Sequence, residues 1–255
     1  MMVFYISLAG INIKVKCNYK RTYRYVKSYI IEPEEYKEPF ASIEVSHEDI
    51  KADINKNRML LGDIYNHSQK HVYIPYYNEL NFEAFSLHRK IAEIIPLYST
   101  FLMHGAVVEK DGFAYMFTAP SGVGKSTRAK LWLKEYPDSI IVNGDKPLIK
   151  ISDEEAIACG TPWCGKEGWN ANRMVALRAI LIVERAETGC TIEELNINQV
   201  FPFLLQQSYR PVDENAMKLT LQLLKALDGK VRFFRFKSAP TSEAIRIAYN
   251  TVCPK

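Results

Sequence analysis

Residues 118–127 read Thr-Ala-Pro-Ser-Gly-Val-Gly-Lys-Ser-Thr, "TAPSGVGKST". The tail of this stretch, Gly122-Val123-Gly124-Lys125-Ser126, has the spacing of a phosphate-binding loop. Its glycines let backbone amides converge on an anion, and its lysine adds a point charge. The strict pattern has glycine where this chain has Ala119. That first position needs a small residue where strand turns into loop, and alanine serves there when φ is negative.

The flanks decide whether this is a phosphate loop or a chance glycine-rich turn. Residues 113–117, "FAYMF", are apolar and strand-like, while residues 126–136 carry Ala129, Trp132, Leu133 and Tyr136 at helical spacing. Strand, glycine-rich loop and helix is the setting the motif requires. Ser121, Gly122, Val123, Gly124, Lys125, Ser126 and Thr127 are therefore the expected phosphate-binding residues. Ser126, at the helix start, is also placed to ligate Mg²⁺.

Two neighbouring segments narrow the type. Residues 104–109 and 113–117 are apolar runs joined at Lys110-Asp111-Gly112, which is a hairpin signal. A hairpin feeding the loop implies a mixed or antiparallel sheet. Downstream, "IIVNGD" at 140–145 reads as a strand that delivers Asp145 about where a phosphate-bound magnesium needs a second ligand.

His104-Gly105, a hairpin, a Gly-Lys-Ser loop and a strand ending in an acid together resemble HPr kinase/phosphorylase. More broadly they resemble the fold that enzyme shares with phosphoenolpyruvate carboxykinase. The motifs are specific over residues 102–149 and weaker to about 249, through "GTPWCGK" and "LLQQSYRP". The whole chain is similar to divergent HPr kinase-like proteins, some of which accompany modified-peptide biosynthesis. The resemblance implies ATP- and Mg²⁺-dependent phosphorylation of a hydroxyl, usually a serine in a peptide or protein. By that resemblance, Lys125 and the amides of 121–126 hold the phosphates, and Ser126 and Asp145 serve Mg²⁺. Asp145 is also the candidate base, and His104 assists near the reacting phosphate. The family usually has two adjacent aspartates where this chain reads Gly144-Asp145, so one carboxylate covers both roles or another residue substitutes. The signature loop of the true HPr kinases is not evident, so HPr is not the expected acceptor. Two other readings stay open: a small-molecule hydroxyl kinase, and a non-catalytic ATP-binding regulatory module.

The expected fold is therefore α/β, with a mixed-sheet phosphoenolpyruvate-carboxykinase-like domain over residues 99–255. A smaller β-rich unit with a closing helix is expected over 1–98. In that unit Ile11, Ile13, Val15, Cys17 and Tyr19 alternate with polar residues, marking a half-buried strand partnered by 3–8. Residues 23–31, 41–45 and 72–74 are further strand candidates, with a Pro/Glu-rich loop ahead of the second. Phe82, Phe85, Leu87, Ile91, Ile94 and Ile95 suggest a helix running to Pro96. The basic and aromatic run "KCNYKRTYRYVKSY" suits either a nucleic-acid surface or the solvated face of a strand. No RNA-binding motif accompanies it, and Lys and Arg barely outnumber Asp and Glu through residue 98, so no nucleic-acid partner is expected.

Later segments carry less chemistry. Residues 160–169 keep two tryptophans in a turn-rich loop, where Lys166 either adds charge toward a transferring phosphate or decorates a surface loop anchored by Trp163. Residues 179–184, "AILIVE", form a buried strand whose Glu184 is the alternative magnesium carboxylate, as in ordinary phosphate-loop ATPases. Residues 200–207 and 214–227 read as helices, and 231–236 as a strand. Thr241 and Ser242, with Glu243, cap a last helix. Cys159 and Cys164 lack a second ligand pair, so zinc is not expected.

Composition sets the outer bounds. Of 255 residues, 47% are hydrophobic and 24% charged, ordinary globular values, and a net charge of +4 is too mild to argue for nucleic acid. Five cysteines form no CxxC and no paired framework, which favours a reducing, cytoplasmic setting. No positive region precedes the N-terminal apolar residues, and no run approaches the ~18 apolar residues of a membrane span, so neither secretion nor a membrane is expected. A homo-oligomer is compatible with all of this.

Overall fold

The computed structural model describes residues 1–32, 41–68 and 78–253. The chain divides into two units, Met1–Ile91 and Ala92–Lys255.

In the first unit, Ala9 and Gly10 take positive φ (54° and 74°) and close β1 (Met2–Leu8) onto β2 (Ile11–Cys17) as an antiparallel hairpin. Positive φ at both turn residues matches the twist of the flanking strands. β3 (Ile30–Ile31) pairs with β1, and β4 (Ala41–Glu44) runs parallel to β2, giving the order β3-β1-β2-β4. Ile6, Leu8, Ile13 and Val15 are fully buried on the sheet's apolar face, as the alternation requires.

Residues 23–31 are not the strand expected of them. Helix α1 spans Lys20–Tyr25, a 3₁₀ turn spans Lys27–Tyr29, and only Ile30 and Ile31 pair in the sheet. The cause is remote. Glu83 accepts hydrogen bonds from the backbone N–H of Asn18 (2.5 Å) and Tyr19 (3.0 Å), from the Asn18 side chain and from the Thr22 hydroxyl. It thereby caps a helix whose own N-cap residue, Tyr19, makes no side-chain capping bond.

Helix α2 (His47–Ser68) was also not anticipated, although Ser46 and Asp49 exchange backbone–side-chain bonds in a capping box. With α3 (Glu79–Ile94), helical residues outnumber strand residues among those described here, so this unit is not β-rich. The strand proposed at 72–74 and most of the Pro/Glu-rich loop lie outside the described residues.

The second unit is mixed α/β. A 3₁₀ turn, Ile95–Tyr98, leads into β5 (Thr100–Leu102). The hairpin of β6 (Ala106–Lys110) and β7 (Phe113–Thr118) turns on Asp111 and Gly112, again with positive φ at both. Helix α4 (Lys125–Glu135) and strand β8 (Ile140–Asn143) follow, and β8 returns antiparallel to β6. β9 (Leu148–Ile151) and β10 (Ala156–Cys159) form an antiparallel extension that meets the first residues of the long strand β11 (Met174–Arg185). The rest of β11 lies parallel to β7 on one side and to β13 (Arg232–Ser238) on the other, and β12 (Cys190–Leu195) borders β13.

Successive residues of the central strands feed opposite cores. Tyr115, Phe117, Leu181 and Val183 pack with Trp132 of α4 and with Ala244, Ile245 and Ala248 of α7 (Ser242–Val252). Ala114, Met116, Ile180 and Ile182 pack with Val200 and Leu204 of α5 (Ile197–Gln207) and Leu224 of α6 (Glu214–Lys225). Strands buried on both faces read as continuous apolar runs, which is what "FAYMF" and "AILIV" are. This core places the C-terminal ends of β7 and β11 side by side, with the glycine-rich loop leaving the first. All five cysteines are free. No helix among the described residues is long and apolar enough to cross a membrane.

Candidate functional site

The loop after β7 needs its glycines. Gly122 and Gly124 have φ of 80° and 119°, left-handed values that a side chain would strain. A Cβ at Gly124 would also lie 2.7 Å from the Arg128 guanidinium. Ala119 is not among the positive-φ residues and is fully buried, so alanine meets the small-residue requirement of its position. Gly124 is the N-cap of α4 and offers no side-chain cap, leaving the first N–H groups of the helix for an anion.

Lys125 is 7% exposed. Its ammonium donates to the carbonyls of Ala119 (2.9 Å) and Pro120 (3.3 Å), folded back along its own loop. Burial pushes its pKa down, and nearby Asp145 opposes that shift only in part. From outside the loop, Arg185 of β11 donates to the carbonyls of Gly122 and Val123 (3.1 Å for the latter). In a trans peptide the N–H points opposite to the C=O, so the Gly124 amide faces away from Arg185.

Asp145 is set by a second group of contacts. The fully buried Asn143 accepts from the N–H of Asp145 (2.9 Å) and of Lys146 (2.7 Å), and its amide donates to Thr161. This pins the turn that follows β8. The Asp145 carboxylate lies 3.2 Å from His104 Nε2 and 3.8 Å from Lys146 Nζ. His104 Nδ1 in turn meets Gln207 Oε1 at 3.2 Å, so the ring is held from both nitrogens. Burial alone would raise the Asp145 pKa. The His104 bond and the charges of Lys146, His104 and Lys125 outweigh it and hold the carboxyl below its ordinary value.

One cavity of about 540 Å³ joins these groups. It is lined by His104, Ser121, Gly122, Gly124, Lys125, Ser126, Thr127, Gly144 and Asp145, and by Gly165, Lys166 and Glu167 of the 160–169 loop. Trp163 is buried as an anchor, and Lys166 faces the cavity.

Two expected residues lie elsewhere. Val123 does not line this cavity; its side chain packs on the α4 face of the core, and its N–H points to Pro120 O at 3.3 Å. Glu184 lines a different cavity on the outer side of the loop, beside Arg185, and pairs with Arg235 at 3.4 Å. Sequence reading assigned no role to Asn143, Gln207, Arg185 or Glu167, although the first two sit in "IIVNGD" and "LLQQSYRP" and Glu167 in the turn-rich loop at 160–169.

Gly144, where a second aspartate was expected, has a physical reason. A Cβ there would stand 2.8 Å from the Cys164 carbonyl oxygen and 3.4 Å from that of Trp169. Backbone of the 160–169 loop fills the space a side chain would use. Among the described residues no group of three or more His, Cys, Asp or Glu side chains is arranged to hold a metal alone. A nucleotide-borne magnesium does not require one, since it keeps water and phosphate ligands and takes one or two carboxylates. Ser126 and an ionised Asp145 are hard oxygen donors that fit such an ion.

No family model matches the sequence, and no curated protein matches it. Among solved structures, the chain is similar to the HPr(Ser) kinase/phosphatase from Coxiella burnetii. Identity is 12%, over 49% of this chain and 93% of that one, with a TM-score of 0.28. At that score the likeness is distant and carries no functional argument.

Proposed function

We propose that the protein is an ATP- and Mg²⁺-dependent kinase of phosphoenolpyruvate-carboxykinase-like architecture that phosphorylates a serine hydroxyl of a peptide or protein. One observation carries the reading: the loop glycines, Lys125 and Ser126 open onto the same cavity as the His104–Asp145 pair. The loop amides and Lys125 bind the β- and γ-phosphates, and Lys125 exchanges its carbonyl partners for phosphate oxygens. Ser126 and Asp145 would hold magnesium, which would supply positive charge against the charge that develops on the phosphates. The acceptor oxygen attacks the γ-phosphorus, the bond to the β–γ bridging oxygen breaks, and ADP leaves with the electron pair. The hydroxyl proton passes to Asp145. A carboxylate with a lowered pKa is a weak base, which suffices because phosphoryl transfer depends mainly on alignment and charge stabilisation. His104 orients that carboxylate through its contact at 3.2 Å.

The test is a mass-shift screen of serine-containing peptides with ATP and Mg²⁺, alongside calorimetry of nucleotide binding. Lys125→Ala is expected to weaken binding by at least about tenfold, the loss of a charge-assisted phosphate contact. Equal binding by both proteins would overturn the reading. Transfer to a free metabolite and to no peptide would make it a small-molecule kinase, and binding with no transfer a regulatory module.

A further inference from the structure

β7, β11 and β13 run parallel, and the glycine-rich loop leaves the C-terminal end of β7. A second cavity, of about 290 Å³, lies toward the opposite ends of these strands and shares no lining residue with the first. The sheet forks there. β11 pairs with β10 as far as Ala176, opposite Ile157, and with β13 only from Ala179, opposite Arg232. Leu177 and Arg178 belong to neither ladder.

On its other edge β11 bulges at the same place. Leu177 stands opposite Ala114 of β7, and Ala179 already stands opposite Tyr115. Residues two apart in a strand normally share a face, yet Leu177 packs in the core with Val200 and Leu204 while Ala179 packs in the core with Trp132. The extra residue is Arg178, and a bulge of this kind re-aims a side chain where it interrupts the ladder.

Arg178 is thereby delivered to the second cavity. Its guanidinium carbon lies 3.5 Å from the centre of the Phe113 ring, which covers one face of the group. The N–H donors lie in the guanidinium plane and stay uncovered. Arg178 is half-buried and makes no hydrogen bond or ion pair among the described residues. Its neighbours in the fold are spent: Arg173 pairs with Glu109, and Arg232 donates to both oxygens of Glu194 at 2.8 Å. Lys230 also lines the cavity and gives one N–H to the Asp153 carbonyl, leaving two. The one carboxylate among the lining residues, Glu155, is exposed and pairs with neither cation. A guanidinium fork without an anion, in a recess that holds a second cation, suits an oxyanion.

We propose that this fork in the sheet is a binding site for a small ligand carrying a phosphate or carboxylate group, held by the edge of Arg178 with Lys230 as the second cation. The volume is near the lower end for small-molecule sites. The site stands apart from the kinase reading, since none of its residues touches the first cavity.

The experiment is an NMR titration of the whole chain with inorganic phosphate and, separately, with citrate, read at the Arg178 side-chain Nε–H. A saturable shift with at least one probe is expected, and the probe that gives it distinguishes a phosphate from a carboxylate ligand. The shift should persist in Lys125→Ala, where the glycine-rich loop has lost its own charge. Arg178→Lys keeps the charge but not the fork, and should weaken binding about tenfold, read at the backbone amides of residues 176–179. Lys230→Gln should weaken it about threefold, and Glu155→Gln should tighten it by a similar factor. No saturable shift with either probe overturns the proposal. So does a shift that disappears in Lys125→Ala, or binding that Arg178→Lys leaves unchanged.

Discussion

Glu83 and Asp145 are both carboxylates held in place by many contacts, and the molecule treats them in opposite ways. Glu83 is fully buried, and both of its oxygens are occupied by donors from Asn18, Tyr19 and Thr22. Asp145 is 31% exposed at its side chain, is approached by His104 and Lys146 at 3.2 and 3.8 Å, and faces an open cavity. The first group completes a fold, because unsatisfied buried donors cost more than the bonds return on average. The second is positioned through its backbone and through His104, which leaves acceptor capacity for something that arrives later. A saturated carboxylate reads as structure, and one fixed but unsaturated reads as a site.

The largest expected effect tests the saturated one. Glu83→Ala removes the acceptor for four donors and should destabilise the first unit by about 3 kcal/mol or more. Denaturant unfolding measures this, with nucleotide affinity unchanged for the protein that remains folded. A stable Glu83→Ala protein would erase the contrast.

Asp145→Asn keeps size but removes charge and basicity, and turnover should fall by about 100-fold, with ATP affinity in EDTA changed far less. The pH dependence has a definite sign. The folded pKa of Asp145 lies below its unfolded value, so its ionic contacts contribute stability that is present above the unfolded pKa of about 3.9 and is lost as pH falls through the folded one. Melting curves of wild type and Asp145→Asn should therefore differ at pH 7 and converge in acid. A constant offset would mean that the mutation acts through packing.

Gly144→Ala sharpens the comparison from the backbone side. The added Cβ meets a carbonyl oxygen at 2.8 Å, so the loop at 160–169 must move, at a cost of about 1–3 kcal/mol. Activity should drop although no functional side chain is lost, whereas retained activity and stability would show that the loop yields freely. The smallest effect is expected of Glu184→Gln. That carboxylate is exposed and paired with Arg235 outside the cavity, and the change should stay within about 0.5 kcal/mol with turnover near wild type. Loss of turnover there, with Asp145 dispensable, would move the magnesium site to β11.

Much of the site was legible because it is local. The glycine-rich loop is a run of consecutive residues, and its tight strand-to-helix turn needs glycine at 122 and 124. Asp111-Gly112 announces its hairpin by the same logic, and the alternation of β1 and β2 follows from burial of one face. The segment at 23–31 misled because its tyrosines, valine and isoleucines suit a strand. Its helix exists because Glu83, about sixty residues away, supplies the cap, and no local pattern carries that information. Helix α2 did carry a signal in Ser46-His47-Glu48-Asp49, but its Asn- and Asp-rich sequence shows no clean apolar stripe.

The sequence by itself determined that a glycine-rich turn joins a strand to a helix, which strand feeds it and that Asp145 follows closely on the next strand. Those features depend on neighbours within a few residues, where backbone stereochemistry and side-chain period suffice. Only the tertiary structure decided that Asp145 rather than Glu184 faces Lys125, that His104 is steadied by Gln207, and that loop carbonyls crowd Gly144. Each of these is a contact between segments far apart in the chain. Their distances are set by how the strands pair and the cores fill, not by any spacing along the sequence.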